Sequence, residues 1–179
     1  MKLQRIQEEE KEKFICTCCD KEFIEIPFCF GSDFPDYYFS VPPEERDERI
    51  ELESSLCVVD EKYFFHKGRF EIPVLNYHQN LVFDVWLSIS KENFEIRIDD
   101  WDNPNRVNND PYFGWLQNQI PTYDYSINIK AKAIEEDIEF IPRIEVWDEA
   151  HQLTYDQKNG ISLEKALGII NFALEKTHL

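Results

Sequence analysis

Between Leu56 and Ser88 the apolar residues arrive in short runs separated by polar triplets, and this pattern constrains the fold more than any other stretch of the chain. Leu56-Cys57-Val58-Val59 and Tyr63-Phe64-Phe65 are divided by Asp60-Glu61-Lys62, and Lys67-Gly68-Arg69 divides the second run from Phe70-Glu71-Ile72-Pro73-Val74. Brief β-branched and aromatic runs bounded by turn formers read as strands, so the segment predicts an antiparallel meander. Asn76 to Asn80 is a polar turn. Leu81 to Ser88 then reads as the central strand, with Val82 and Trp86 on one face and Phe83, Val85 and Leu87 on the other. Further on, Ser126 to Ala133 alternates Ile127, Ile129, Ala131 and Ala133 with Asn128, Lys130 and Lys132, a strand with one wet face. Phe140 to Trp147 is its return, and Pro142 inside it marks an edge or a bulge.

Three helices are expected around these strands. One follows Ser40 and Pro42-Pro43 and runs to about Leu52, with prolines and acids in its first turn. A second is capped by Ser90 and runs to about Trp101, with Phe94, Ile98 and Trp101 at helical spacing. The last follows Ser162, with Leu163, Leu167, Ile170 and Leu174 in one stripe. Glu149 to Lys158, closed by Asn159-Gly160, reads as a shorter helix or turn. Pro27 to Val41 reads as a packed irregular loop or short strands. Pro111 to Tyr123 packs four aromatics and two prolines around Gly114, and reads as a rigid loop burying Phe113, Trp115 and Leu116. Met1 to Lys13 is polar and reads as a frayed helical or disordered extension to a single domain over residues 14–179. The expected fold is α+β: one antiparallel sheet of five to six strands, with three helices packed mainly on one face.

The chain has 36 acidic and 19 basic residues, a formal charge of −17, yet its aromatic content of 15% is far above that of a disordered chain. Such a surface repels phosphates, so nucleic acid and anionic membranes are poor direct partners and basic proteins are favoured. No segment resembles a secretory leader, and no run approaches the roughly 18 apolar residues of a membrane span. With an odd count of five cysteines, this places the chain in the cytoplasm with reduced thiols. Neither phosphate-cradling glycine motifs nor His-Glu-x-x-His nor Gly-x-Ser-x-Gly occurs.

Three kinds of residue remain as candidate sites. Cys16 and Cys19 have the Cys-x-x-Cys spacing of half a tetrahedral zinc site. Cys18, Cys29, Cys57 or a histidine would have to complete it. The same residues also read as small buried hydrophobes or, less readily, as a redox pair. The acid clusters Asp99, Asp100 and Asp102, and Glu135, Glu136 and Asp137, are the candidate partner contacts. The first cluster ends a helix, where carboxylates oppose the macrodipole. His151, near Asp148, Glu149 and Asp156, is the candidate catalytic base.

Several motifs together carry a resemblance. These are Phe14-x-Cys16-x-x-Cys19, Pro35-Asp-Tyr-Tyr38, Leu56-Cys-Val-Val-Asp60, Val85-Trp-Leu-Ser-Ile-Ser-Lys-Glu-Asn-Phe94, Pro111-Tyr-Phe-Gly-Trp-Leu116, Pro142-x-Ile-Glu145 and Gln157-x-x-Gly-Ile161. Over about residues 14–178 the chain resembles the bacterial family catalogued as domain of unknown function 2199. That resemblance implies an opening Cys-x-x-Cys-Gly-x-x-His with three zinc ligands. Here Asp20 stands at the glycine position and Phe23 at the histidine position, so the expectation leans to no metal and no cofactor, with one structural zinc as the alternative. The function expected is a non-catalytic, acidic, cytoplasmic protein-binding domain, in its most specific form an immunity protein or inhibitor that blocks the basic cleft of a toxin such as a nuclease. The alternatives are a small metal-dependent or His-assisted hydrolase, tested first at His151 and Cys16, and a structural protein whose charge serves solubility.

Overall fold

The computed structural model describes residues 3–8, 11–16, 20 and 22–177. Its strands are β1 (Leu3–Glu8), β2 (Lys11–Cys16), β3 (Glu22–Phe23), β4 (Cys29–Gly31), β5 (Ile50–Leu52), β6 (Leu56–Val59), β7 (Tyr63–Ile72), β8 (Leu81–Ile89), β9 (Tyr112–Leu116), β10 (Lys130–Ile134) and β11 (Arg143–Val146). Its helices are α1 (Arg46–Arg49), α2 (Lys91–Asp99), α3 (Gln152–Asn159) and α4 (Leu163–Thr177).

The α+β class holds, but the single antiparallel sheet does not. The strands form a three-stranded sheet, β1-β2-β3, and an eight-stranded one in the order β4-β8-β9-β10-β11-β7-β6-β5. The larger sheet curls until β7 pairs with β8 as well as with β11. Strands β7 to β11 therefore close into a barrel of five. Each successive pair is antiparallel, so with an odd number of strands the first and last must run the same way. Strand β11 is indeed parallel to β7. Closure also removes two free edges, which an open sheet has to protect. A second parallel pair joins β4 to β8.

The alternation in β8 is realised as expected. Phe83, Val85 and Leu87 are buried in the main core, while Trp86 is buried on the opposite face with Cys57, Val59, Phe65 and Val41. The main core combines Phe70, Ile72, Leu116, Ala131, Ala133 and Ile144 of the barrel with Leu153 of α3 and Leu167, Ile169 and Ile170 of α4. Gln157 of α3 fastens that helix to β11: its Oε1 accepts from Val146 N at 2.9 Å and its Nε2 donates to Ile144 O at 2.8 Å.

Several expectations are corrected here. Lys67-Gly68-Arg69 is not a break between strands but the middle of β7. Gly68 is needed there because a Cβ would lie 2.4 Å from Ile144 Cδ1, so the glycine lets β11 close against β7. Pro142 precedes β11, which lies between β10 and β7 and is not an edge. The helix expected from Ser40 to Leu52 is a 3-10 turn, Pro43–Glu45, and the single turn α1, because Ile50–Leu52 pairs with β6 instead. The supposed loop at Pro111 opens as strand β9. Tyr112, Gly114 and Leu116 point inward, while Phe113 and Trp115 are exposed on the outer face. Within the N-terminal stretch read as helical or disordered, Leu3–Glu8 and Lys11–Cys16 pair as an antiparallel hairpin.

The Ser90 cap is as expected, its Oγ accepting from Asn93 N at 3.1 Å. Ser90→Ala removes that acceptor and should lower the unfolding free energy by about 1 kcal/mol in urea titration. An unchanged midpoint would show that the cap contributes nothing.

Candidate functional site

The two acid clusters, thirty-odd residues apart in sequence, meet at one end of the barrel. Helix α2 packs on β7 through Phe94, whose ring lies 5.1 Å from that of Phe64. Arg97, one turn further along the same face, is thereby carried inward. Asn103 Oδ1 accepts from Asn105 N at 3.0 Å and opens a 3-10 turn, Pro104–Asn108, which carries Arg106 inward as well. Strand β10 delivers Glu135 to the same place at its C-terminal end.

There Glu135 is only 5% exposed. Its Oε1 lies 2.9 Å from Arg97 Nη2 and its Oε2 lies 3.5 Å from Arg106 Nε. Tyr112 donates to Oε1 at 3.5 Å, and His66 Nδ1 lies 2.5 Å from the Tyr112 hydroxyl oxygen. Since the tyrosine proton points at Glu135, His66 Nδ1–H donates the shorter bond. Burial pushes the Glu135 carboxyl up, and the two guanidiniums pull it back only in part. Burial and the same two cations drive the His66 imidazole down to about 3, so it is neutral.

Arg106 does more than balance charge. Its Nη1 donates to Trp101 O at 2.7 Å and its Nη2 to Ile138 O at 2.8 Å, so one side chain clamps the loop after α2 to the loop after β10. Beyond the clamp, Trp101, Ile98, Ile138 and Phe140 are exposed large apolar residues. Asp99, Asp102, Glu136 and Asp137 are exposed among them. A cavity of about 450 Å³ opens beside the clamp, between α2 and the start of β9, with Arg97, Asp100 and Tyr112 in its wall.

The six candidate contacts thus divide. Asp99, Asp102, Glu136 and Asp137 face solvent, although Glu136 Oε1 accepts from Arg143 Nε at 2.7 Å and Asp137 Oδ1 from Glu139 N at 2.8 Å. Glu135 is not a surface contact, because the strand that carries it ends beneath two guanidiniums. Asp100 is half-buried, and its two oxygens accept from Asn103 Nδ2 and Asn109 Nδ2, both at 2.9 Å. These bonds, with Arg97 and Arg106 behind them, hold its carboxyl below the usual range. They also offset the adverse macrodipole interaction of an acid at this helix end. Arg97, Arg106, Tyr112 and His66 escaped the sequence reading. The available signal was Arg97 three residues after Phe94, on the same helical face.

The other candidates are placed less favourably. His151 caps α3, its Nδ1 accepting from Leu153 N at 3.1 Å, while its Nε2 is buried with no partner among the described residues. Neither nitrogen is therefore presented to a substrate. Asp156, one of the acids near it in sequence, accepts from Tyr123 Oη at 2.6 Å and Gln152 Nε2 at 2.9 Å. Cys16 is buried at the end of β2, whereas Cys18 and Cys19 lie outside the described residues. Phe23 pairs with Phe14 across β2 and β3. Cys57 is buried under Trp86 and Cys29 is exposed on β4. Among the described residues no three or more His, Cys, Asp or Glu side chains are grouped to hold a metal ion, and no helix is long and apolar enough to cross a membrane.

A family model described as an uncharacterized protein conserved in bacteria, domain of unknown function 2199, matches residues 15–161, a span that contains the whole clamp. No curated protein and no solved structure matches.

Proposed function

This chain belongs to the bacterial family of domain of unknown function 2199, and we propose that it works as a binding protein whose acidic barrel end docks onto a basic protein. The observation that carries this reading is the Arg106 clamp, which holds two loops with exposed Trp101 and Ile138 together and surrounds them with carboxylates. An aromatic anchor within a charged rim is the usual anatomy of a protein interface. The rim would steer a cationic partner over distance, and carboxylates can take the place of phosphates against lysine and arginine. In its most specific form the chain is an inhibitor or immunity protein that covers the basic cleft of a toxin in the cytoplasm.

A deca-arginine peptide tests the location before any partner is known. Amide shifts in a titration should concentrate at residues 99–110 and 136–140. Reversing Asp99, Asp102, Glu136 and Asp137 to lysine should weaken binding by about tenfold or more and flatten its salt dependence. These four side chains are exposed, so the unfolding midpoint should barely move. Shifts spread evenly over the acidic surface, including the acids from Glu44 to Glu53, would overturn the assignment.

A further inference from the structure

A second cavity, of about 580 Å³, lies outside the barrel, where the 3-10 turn Asp36–Ser40 faces β7, the end of β8 and the loop that follows β9. Its wall is aromatic. The Tyr37 ring packs against Tyr63 with centroids 4.5 Å apart and against Phe65 at 5.9 Å. Tyr125 also lines the cavity and is 70% exposed.

The polar part of the wall is held rigidly yet left incompletely satisfied. Asp36 N donates to Gln117 O at 2.8 Å, and Gln117 N donates to Trp86 O at 2.7 Å, which fixes the turn to the barrel. Gln117 is 6% exposed, and its Nε2 donates to Asn128 Oδ1 at 2.7 Å. Asn128 holds φ at 64°, a left-handed conformation that asparagine tolerates better than most residues. These bonds leave Gln117 Oε1 accepting from none of the described residues. The Asp36 carboxylate has no ion pair or hydrogen bond among them either. Among the described residues no lysine or arginine lines the cavity.

We propose that this cavity binds a small organic cation of the ammonium or guanidinium class, with the Tyr37 and Tyr125 rings and the Asp36 carboxylate as its recognition groups. Ring faces are electronegative and attract weakly hydrated cations, and a carboxylate at the mouth adds charge selection. An anion would meet Asp36 and the field of a chain carrying −17. The rim already shows the preference: Lys62 Nζ sits 5.0 Å over the Tyr63 ring, and Arg46 Cζ lies 5.7 Å from the centre of Phe39. Neither cation enters the cavity wall. The cavity is separate from the clamp residues, so its test does not depend on the docking reading.

Calorimetric titration of the full chain with choline and with methylguanidinium tests the proposal, using 3,3-dimethylbutan-1-ol as the neutral isostere of choline. At least one cation should bind saturably, and the isostere at least about tenfold more weakly than choline where choline is the ligand. Asp36→Asn and Tyr125→Ala should each weaken binding by about three- to tenfold, the size of one exposed cation–π or screened carboxylate contact. Both residues are exposed, so the variants keep the fold, which circular dichroism verifies. Failure of both cations to saturate overturns the proposal. So does equal binding of the isostere or of methyl glucoside, or binding that survives in the Asp36→Asn/Tyr125→Ala double variant.

Discussion

Glu135→Ala lowers the free energy of unfolding by about 3–5 kcal/mol, the range seen when one partner of a buried ion pair is removed. The side chains of Arg97 and Glu135 are each 2% exposed and that of Arg106 is 5% exposed, so water cannot take over when the carboxylate is lost. Two guanidiniums then remain in the interior with no counter-charge, beside the neutral His66. Arg106 keeps its carbonyl partners Trp101 and Ile138, but Arg97 loses its 2.9 Å ion-pair partner. Combining Glu135→Ala with Arg97→Met removes that orphaned cation, so the double variant should lose less stability than the sum of the two single changes, with a coupling of about 1–3 kcal/mol. Urea denaturation of the four proteins measures both quantities. A Glu135→Ala loss under about 1 kcal/mol, or strict additivity, would show that the cluster is hydrated and that the clamp does not depend on it.

Mild acid destabilises the chain through His66. Its folded-state pKa lies near 3, against an ordinary 6.5, because it is buried and faces Arg97 and Arg106 across Tyr112. Between those two values only the unfolded chain takes up the proton, so stability is complete above pH 6.5 and declines as the pH falls below it. From pH 7 to pH 5 this one group removes about 2 kcal/mol, given about 1.4 kcal/mol for each pH unit of differential protonation. Glu135 acts in the opposite sense: its raised pKa makes the folded state the better proton acceptor above the ordinary carboxylate value, which reduces the decline near pH 5. His66→Gln retains an N–H for the Tyr112 oxygen and cannot titrate. Thermal or urea unfolding at several pH values should therefore show a flatter slope for the variant over this window. Parallel slopes for the two proteins would mean that His66 is not held neutral in the folded state.

The strand pattern from Leu56 to Ser88 was readable because burial on one face writes itself as period two, and β8 shows it except at Trp86, which a second core buries on the opposite face. The cap at Ser90 was readable because it joins residues three apart. Lys67-Gly68-Arg69 misled for a physical reason. A glycine between charges signals a turn locally, whereas here it makes room for Ile144, a residue from a distant strand. Phe113 and Trp115 misled in the same way: their size suggested burial, but the inward positions of β9 are taken by Tyr112, Gly114 and Leu116. At the barrel end the two acid clusters were visible in composition, yet nothing local distinguished Glu135 from Glu136.

By itself the sequence determined the strong negative charge, the Ser90 cap and the strands whose apolar faces alternate, since each depends on neighbours within a few residues. Only the tertiary structure decided that five strands close with β11 parallel to β7, that Glu135 lies beneath Arg97 and Arg106, and that one guanidinium ties Trp101 to Ile138. Those outcomes depend on contacts between segments tens of residues apart, whose free energy comes from burial and is written in no single stretch of the chain.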